Sequence, residues 1–190
     1  PQYLSILNKT NDLLKIDLSL DPHKTHNYRW ELDDRSLAEM WVNNCLAVLR
    51  KSGHSPFLQT LKVSYASFEP LFSALEEHPN ISRLELTLCP EISSYDYSSF
   101  ASVCKNLSHL LVYGEENQTG KGIAALISSN KKLKFLVLLN AKGFSEEDLY
   151  LIACATKNLE EIHFFTLLEI SPQIIDIIQV QNPRARIRIF

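Results

Sequence analysis

Glycine is scarce in this chain, 5 among 190 residues, and the scarcity excludes whole classes of chemistry. A loop that cradles phosphate needs closely spaced glycines so that backbone N–H groups can approach the anion, and Gly120-Lys-Gly122 is too short to form one. There is no Gly-x-Ser-x-Gly elbow and no His-Glu-x-x-His, so two common frameworks for hydrolysis are missing. No catalytic residue, no cofactor and no enzymatic activity are expected. The four cysteines, Cys45, Cys89, Cys104 and Cys154, stand far apart with no Cys-x-x-Cys among them, which argues against a metal knuckle and against a compact disulfide framework. They read as reduced core thiols, which implies an intracellular protein, cytoplasmic or nuclear. His23-x-x-His26 suggests a metal pair, but its loop offers no convincing further ligands, so it is read as solvated.

Positive charge is also lacking. Lysine and arginine total 19 against 22 acids, a net charge of -3, and the basic residues are scattered instead of forming the field that nucleic acid demands. No run of about 18 apolar residues exists to span a membrane, and no signal peptide opens the chain. Four Asn-x-Ser/Thr sequons occur, at Asn8, Asn80, Asn106 and Asn117. Asn80 and Asn106 directly precede apolar strand positions where a glycan would be awkward, so glycosylation is not expected.

What is abundant is leucine at regular intervals. The pattern Leu-x-x-Leu-x-Leu, or a close relative, opens at Leu58, Ile81, Leu107, Leu133 and Leu159, with spacings of 23, 26, 26 and 26 residues. Its inner residues are Leu58/Leu61/Val63, Ile81/Leu84/Leu86, Leu107/Leu110/Val112, Leu133/Leu136/Leu138 and Leu159/Ile162/Phe164; an earlier copy sits at Leu13/Ile16/Leu18 and a last one at Ile187/Ile189. Periods of this length are those of leucine-rich repeats. Alternate residues of a short strand point the same way, and parallel stacking of identical strands buries a ladder that no single unit could bury. With 45% hydrophobic residues the chain can build one elongated domain over residues 1–190. The fold class is therefore α/β: a leucine-rich-repeat solenoid with a curved parallel sheet on the concave face and helices on the convex face. The lack of an initiating Met, and Tyr3 to Leu7 read as the tail of an earlier repeat's helix, suggest a fragment from the C-terminal part of a longer protein.

Between the strands, the polar stretch Asp21 to Asp34 is rich in turn formers and reads as a loop insertion of about residues 21–36. Leu37 to Leu49 then places Leu37, Met40, Trp41, Cys45, Val48 and Leu49 at helical spacing, an amphipathic helix of about three turns. Helices also fit Phe68 to Glu77, Ser98 to Cys104 and Gly122 to Ser129. Ser145 before Glu146-Glu147-Asp148 is an N-cap followed by acids suited to the helix dipole, and Ser171-Pro172 opens another helix with proline where its missing N–H costs nothing. Arg184, Arg186 and Arg188 on the last strand read as edge protection.

One unit carries a more particular signature, Ile81-Ser-Arg-Leu-Glu-Leu-Thr-Leu-Cys-Pro-Glu-Ile-Ser. It resembles the cysteine-containing repeats of F-box substrate receptors and the wider ribonuclease-inhibitor-like superfamily, with Cys89, Ile92 and Ser93 at the signature positions. In the other units Ala66, Glu115, Ala141 and Leu167 replace that Cys. The resemblance implies a module that selects substrates for ubiquitin transfer, with a ubiquitin-ligase adaptor bound by a more N-terminal region; no F-box bundle is visible in these residues.

The strand residues that alternate with the buried ones define the candidate site. Thr60, Lys62 and Ser64, then Arg83, Glu85 and Thr87, make an ordinary solvated surface. The next three units differ: His109, Leu111 and Tyr113; Phe135, Val137 and Leu139; Glu161, His163 and Phe165. Contiguous exposed apolar side chains of this kind mark interaction sites. The anchors are Leu111, Tyr113, Phe135, Val137, Leu139 and Phe165, with His109, Glu161 and His163 orienting a protein or peptide partner. His109 and His163, two strands or about 10 Å apart, are too distant to share a ligand. Four other readings stay open: cover by the Asp21 to Asp34 insertion, by a terminal segment or by self-association; a different strand register; a regulatory or assembly repeat domain, such as a sensor-type receptor's terminal domain, that binds the protein's own other domains; and a microbial effector that binds a host protein.

Overall fold

A five-residue strand with alternate apolar side chains can bury one face only, and its backbone groups need a neighbour on each edge. Parallel stacking meets both needs, with a helix as the obligatory crossover. The computed structural model describes residues 15–18, 34–51, 57–90, 92–114, 120–140, 144–165 and 170–190. Among them strand and helix alternate throughout: β1 (Lys15–Leu18), α1 (Asp34–Lys51), β2 (Thr60–Ser64), α2 (Phe68–Glu77), β3 (Arg83–Thr87), α3 (Ser94–Val103), β4 (His109–Tyr113), α4 (Gly120–Ser129), β5 (Phe135–Leu139), α5 (Glu146–Ala155), β6 (Glu161–Phe165), α6 (Pro172–Gln181) and β7 (Arg186–Ile189). The seven strands form one sheet in sequence order, every neighbouring pair parallel. The chain is thus an α/β leucine-rich-repeat solenoid.

The register places Ile16, Leu61, Leu84, Leu110, Leu136, Ile162 and Ile187 side by side across the sheet. Leu18, Val63, Leu86, Val112, Leu138, Phe164 and Ile189 form a second row. Both rows are buried up to β6; on β7 Ile187 is half-buried and Ile189 is 51% exposed, because no further strand and helix cover them among the described residues.

A third ladder runs along the helix ends, and two of its rungs, Asn130 and Asn182, tie a helix end to the unit before it. His78, Cys104, Asn130, Thr156 and Asn182 follow or close successive helices at intervals of 26 and are all buried. Asn130 Oδ1 accepts from the Leu107 N–H at 2.8 Å, while its Nδ2 donates to the Cys104 and Leu126 carbonyls. Asn182 repeats the arrangement with the Leu159 N–H, Thr156 Oγ1 and the Ile178 carbonyl. The amide side chain supplies an acceptor and two donors at once, which closes a helix C-terminus and the start of a strand together. At the equivalent His78, neither ring nitrogen finds a hydrogen-bond partner among the described residues.

Helix starts follow their caps. Ser145 and Asp148 form a capping box, as do Ser93 and Asp96; the second box opens α3 at Ser94, a turn ahead of the expected Ser98. Ser171 precedes Pro172 at the first turn of α6 as expected, but its hydroxyl makes no cap bond. Ser67, ahead of α2, gives its hydroxyl to Glu39 Oε1 and receives Asn43 Nδ2, while its N–H donates to Asn43 Oδ1. These bonds pin α2 to α1.

Helix α1 departs most from expectation. It runs 18 residues where α2 to α6 run 10, and it already begins at Asp34, inside the expected insertion; residues 21–33 lie outside the described residues. Val42, Cys45, Leu46 and Leu49 are buried, whereas Leu37, Met40 and Trp41, expected on the core side, are exposed at 51%, 57% and 39%. They occupy the turns by which α1 is longer than its neighbours. Cys154 is exposed and so is not the core thiol expected, while Cys45, Cys89 and Cys104 are buried.

Gly120 and Gly122 serve packing. A Cβ on Gly122 would run into the Ser94 carbonyl of α3, and one on Gly120 into the Asp148 backbone of α5. The first N–H groups of α4 are taken by those neighbours: Gly122 donates to Ser94 Oγ at 3.1 Å and Gly120 to Asp148 Oδ1 at 2.7 Å. Burial by itself would raise the Asp148 carboxyl, but hydrogen bonds from the Ser145 side chain and from the Gly120 and Ser145 backbone outweigh it and hold the group below its ordinary range.

Gly122→Ala is expected to lower stability by about 1–3 kcal/mol through overpacking between α3 and α4, read from urea denaturation. Asn130→Leu, which leaves the buried Leu107 N–H unsatisfied, should remove about 1–3 kcal/mol. His78→Leu at the equivalent rung removes no hydrogen bond and should be neutral or stabilising in the same measurement; an equal loss for both variants would sink the account of the ladder.

Candidate functional site

The side of the sheet away from the helices carries three rows of outward residues. Lys15, Thr60, Arg83, His109, Phe135, Glu161 and Arg186 are aligned in one row, and Asp17, Lys62, Glu85, Leu111, Val137, His163 and Arg188 in the next. A third holds Ser64 beside Thr87, then Tyr113, Leu139 and Phe165. The residue types change along the sheet.

On β2 and β3 the face satisfies itself. Glu85 receives Lys62 at 2.6 Å and Arg83 at 2.5 Å, and the Ser64 and Thr87 hydroxyls lie 2.6 Å apart. Ser64 is buried, so this end is less solvated than the sequence suggested.

From β4 onwards the face turns apolar. Leu111, Tyr113, Phe135, Val137 and Leu139 are half-buried and Phe165 is 38% exposed. They are not fully open because outward side chains on strands about 4.8 Å apart pack against one another. His109 shows this directly: its ring stacks on Phe135 at 4.4 Å and 11°, and its Nδ1 lies 2.8 Å from Ser108 Oγ. Burial, with Arg83 nearby, lowers the His109 pKa; Glu85 and Glu160 offset only part of this. The imidazole is therefore neutral at pH 7 and belongs with the apolar surface.

The far flank is charged again. Glu161 accepts His163 Nε2 at 3.1 Å and lies 3.5 Å and 3.8 Å from the guanidinium groups of Arg186 and Arg188. Those arginines, read from sequence as edge protection, form the rim of the face. Phe190 extends the apolar surface: it stacks on Phe165 at 4.5 Å and 11°, meets the edge of His163 at 5.7 Å, and its N–H donates to the Phe164 carbonyl. The sequence signal for Phe190 was the alternation Arg186, Arg188, Phe190, which continues the outward period beyond Ile187 and Ile189.

All nine candidate residues thus lie on one surface, with Phe190, Arg186 and Arg188 added. Among the described residues no three His, Cys, Asp or Glu are gathered to hold a metal ion, and no helix is long and apolar enough to cross a membrane. Burial pushes the Cys104 thiol up to about 12, with Lys105 pulling weakly the other way, so it carries no thiolate near neutral pH.

No protein-family model matches the chain, and no curated protein does. Among solved structures it is similar to the tropomodulin C-terminal domain of Caenorhabditis elegans, with a TM-score of 0.50 and 17% identity over 75% of this chain and 92% of that one. At that identity the likeness shows the fold.

The lowered His109 pKa carries a sign. The neutral ring favours the folded state above the unfolded value of about 6.5, and that contribution is lost as pH falls below it. NMR titration of the His109 ring should give a midpoint below about 6.5; a midpoint above it would mean that the ring is not held against Phe135 as described.

Proposed function

We propose that this chain is a protein-binding repeat domain whose open, concave sheet face docks a protein or peptide partner across β4 to β7. The observation that carries the reading is the change of character along one surface: polar side chains on β2 and β3 pair with one another, while six partly exposed apolar side chains follow on β4 to β6, with Phe190 stacked on Phe165 beside them. Leu111, Tyr113, Phe135, Val137, Leu139 and Phe165 are the anchors, and His109, Glu161 and His163 orient the partner. Aromatic residues in such a centre contribute large contact areas with few rotamers to freeze.

The likeness of the Cys89 unit to F-box receptors extends the proposal to substrate recognition for ubiquitin transfer. Cys89 itself sits buried, its thiol directed at the Thr87 carbonyl at 3.3 Å, so the signature supports the turn below the site and contributes no binding group.

Affinity capture with the wild type and with Leu111→Asp/Phe135→Asp/Leu139→Asp, compared by quantitative mass spectrometry after circular dichroism confirms folding, tests both levels. Partners lost by at least tenfold only with the variant would support docking on this face, and a ubiquitin-ligase adaptor retained by both would support the receptor role. An unchanged partner list would move the site elsewhere.

A further inference from the structure

The docking face carries a charge opposite to that of the chain as a whole. Its outward strand positions hold five cations, Lys15, Lys62, Arg83, Arg186 and Arg188, against three carboxylates, Asp17, Glu85 and Glu161, a net +2 on a chain of net -3. The excess is concentrated at the two borders of the apolar zone. On β3 one carboxylate, Glu85, is shared by Lys62 and Arg83. On β6 one carboxylate, Glu161, is shared by Arg186 and Arg188 as well as His163. Each border is thus one cation in excess, and Arg186 and Arg188 keep side-chain exposures of 74% and 50%. A guanidinium presents five N–H donors, so a single shared carboxylate leaves most of them free.

Resting on the docking function proposed above, we infer that the occupant is an acidic amphipathic peptide segment, with bulky apolar side chains in its centre and a carboxylate at each end. The centre would cover Leu111, Tyr113, Phe135, Val137, Leu139 and Phe165. One terminal carboxylate would meet Lys62 and Arg83, the other Arg186 and Arg188. The two borders are four strand steps apart, β3 to β7, which is about 19 Å at about 4.8 Å per strand. A helix covers that span in about 13 residues, so the two acidic groups are expected about 13 positions apart in a helical partner. The same charges disfavour a second copy of this chain laid face to face, which would set the Arg186 and Arg188 rim of one molecule in the positive field of the other. Nucleic acid is disfavoured by the negative charge of the whole chain and by the uncharged, apolar character of the zone between the borders.

The test is selection of a phage-displayed library of random 18-residue peptides on the wild-type chain, followed by fluorescence anisotropy with the most enriched synthetic peptide. The expected result is an apolar centre flanked by Asp or Glu on both sides and affinity that falls as NaCl rises from about 0.05 to 0.5 M. Arg186→Glu/Arg188→Glu, at exposed positions that the fold does not need, should cost about tenfold in affinity; Phe135→Asp/Leu139→Asp should abolish binding, with Phe165→Ala as a milder variant of the same face. Enriched peptides that need Phe135 and Leu139 but show no acidic bias and ignore the arginine variant would overturn this inference and leave the docking function standing. Acidic peptides that bind the Phe135→Asp/Leu139→Asp variant as well as the wild type would overturn both. Light scattering that shows a dimer abolished by the same variant would assign the face to a second copy. Equal binding of a 15-nucleotide dT oligomer competing with the peptide, or no enrichment at all, would also refute the inference.

Discussion

The row formed by Leu61, Leu84, Leu110, Leu136 and Ile162, each paired to the next by parallel register, is the contact on which the remaining structure depends. Side-chain direction alternates along a strand, so fixing this row on the helix side sends residues such as Lys62, Glu85, Leu111, Val137 and His163 to the opposite side, again in a row. A slip of one residue at β2 or β3 would expose a leucine and bury a lysine or glutamate. The register is therefore held by the core, and the composition of the outer rows is free to vary without disturbing the fold. That freedom is what allows the same scaffold to present salt-bridged residues on β3 and packed aromatics on β5 and β6.

The backbone has a second constraint, which the leucines do not meet. Each helix ends in buried carbonyls, and the following strand starts with an N–H that no helix partner reaches. Asn130 and Asn182 satisfy both, and Gly120 and Gly122 let α4 come close enough for Asp148 and Ser94 to accept the first N–H groups of that helix. At the ends of the strands the turn is tight enough to put Tyr65, Leu88 and Asn140 at positive φ. For residues other than glycine this region costs about 1–2 kcal/mol, a strain that the surrounding ladders must offset.

Most of the architecture was legible because it rests on short periods. Strand positions, the 26-residue interval, the parallel sheet, the Ser145 cap and the nine outward residues of β4 to β6 could all be read without coordinates. The failures came where a residue's role depends on what lies beside it. Leu37, Met40 and Trp41 fit helical spacing as well as Cys45 and Leu49 do, but α1 is longer than the helices beside it and the periodicity cannot tell a covered turn from an overhanging one. Cys154 fits the one-per-unit pattern of the thiols yet sits on the outer side of α5. Arg186 and Arg188 do lie on the edge strand β7, but their pairing with Glu161, 25 residues or more away in sequence, could not be read from spacing. Asn130 and Asn182 were passed over because a lone Asn at a helix end reads as a turn former; only their shared interval with His78, Cys104 and Thr156 identifies a rung.

The sequence by itself determined the repeat, its register and which side chains share a face, since these follow from two local periodicities and from the exclusion of charge from a core. The tertiary structure decided which members of each face are open, which are paired, and where the positive borders of the apolar zone fall. Those properties depend on distances between units, such as the 4.5 Å stack of Phe165 on Phe190 or the sharing of one glutamate between two cations. Such distances are set by how neighbouring units pack, and no spacing within a single unit encodes them.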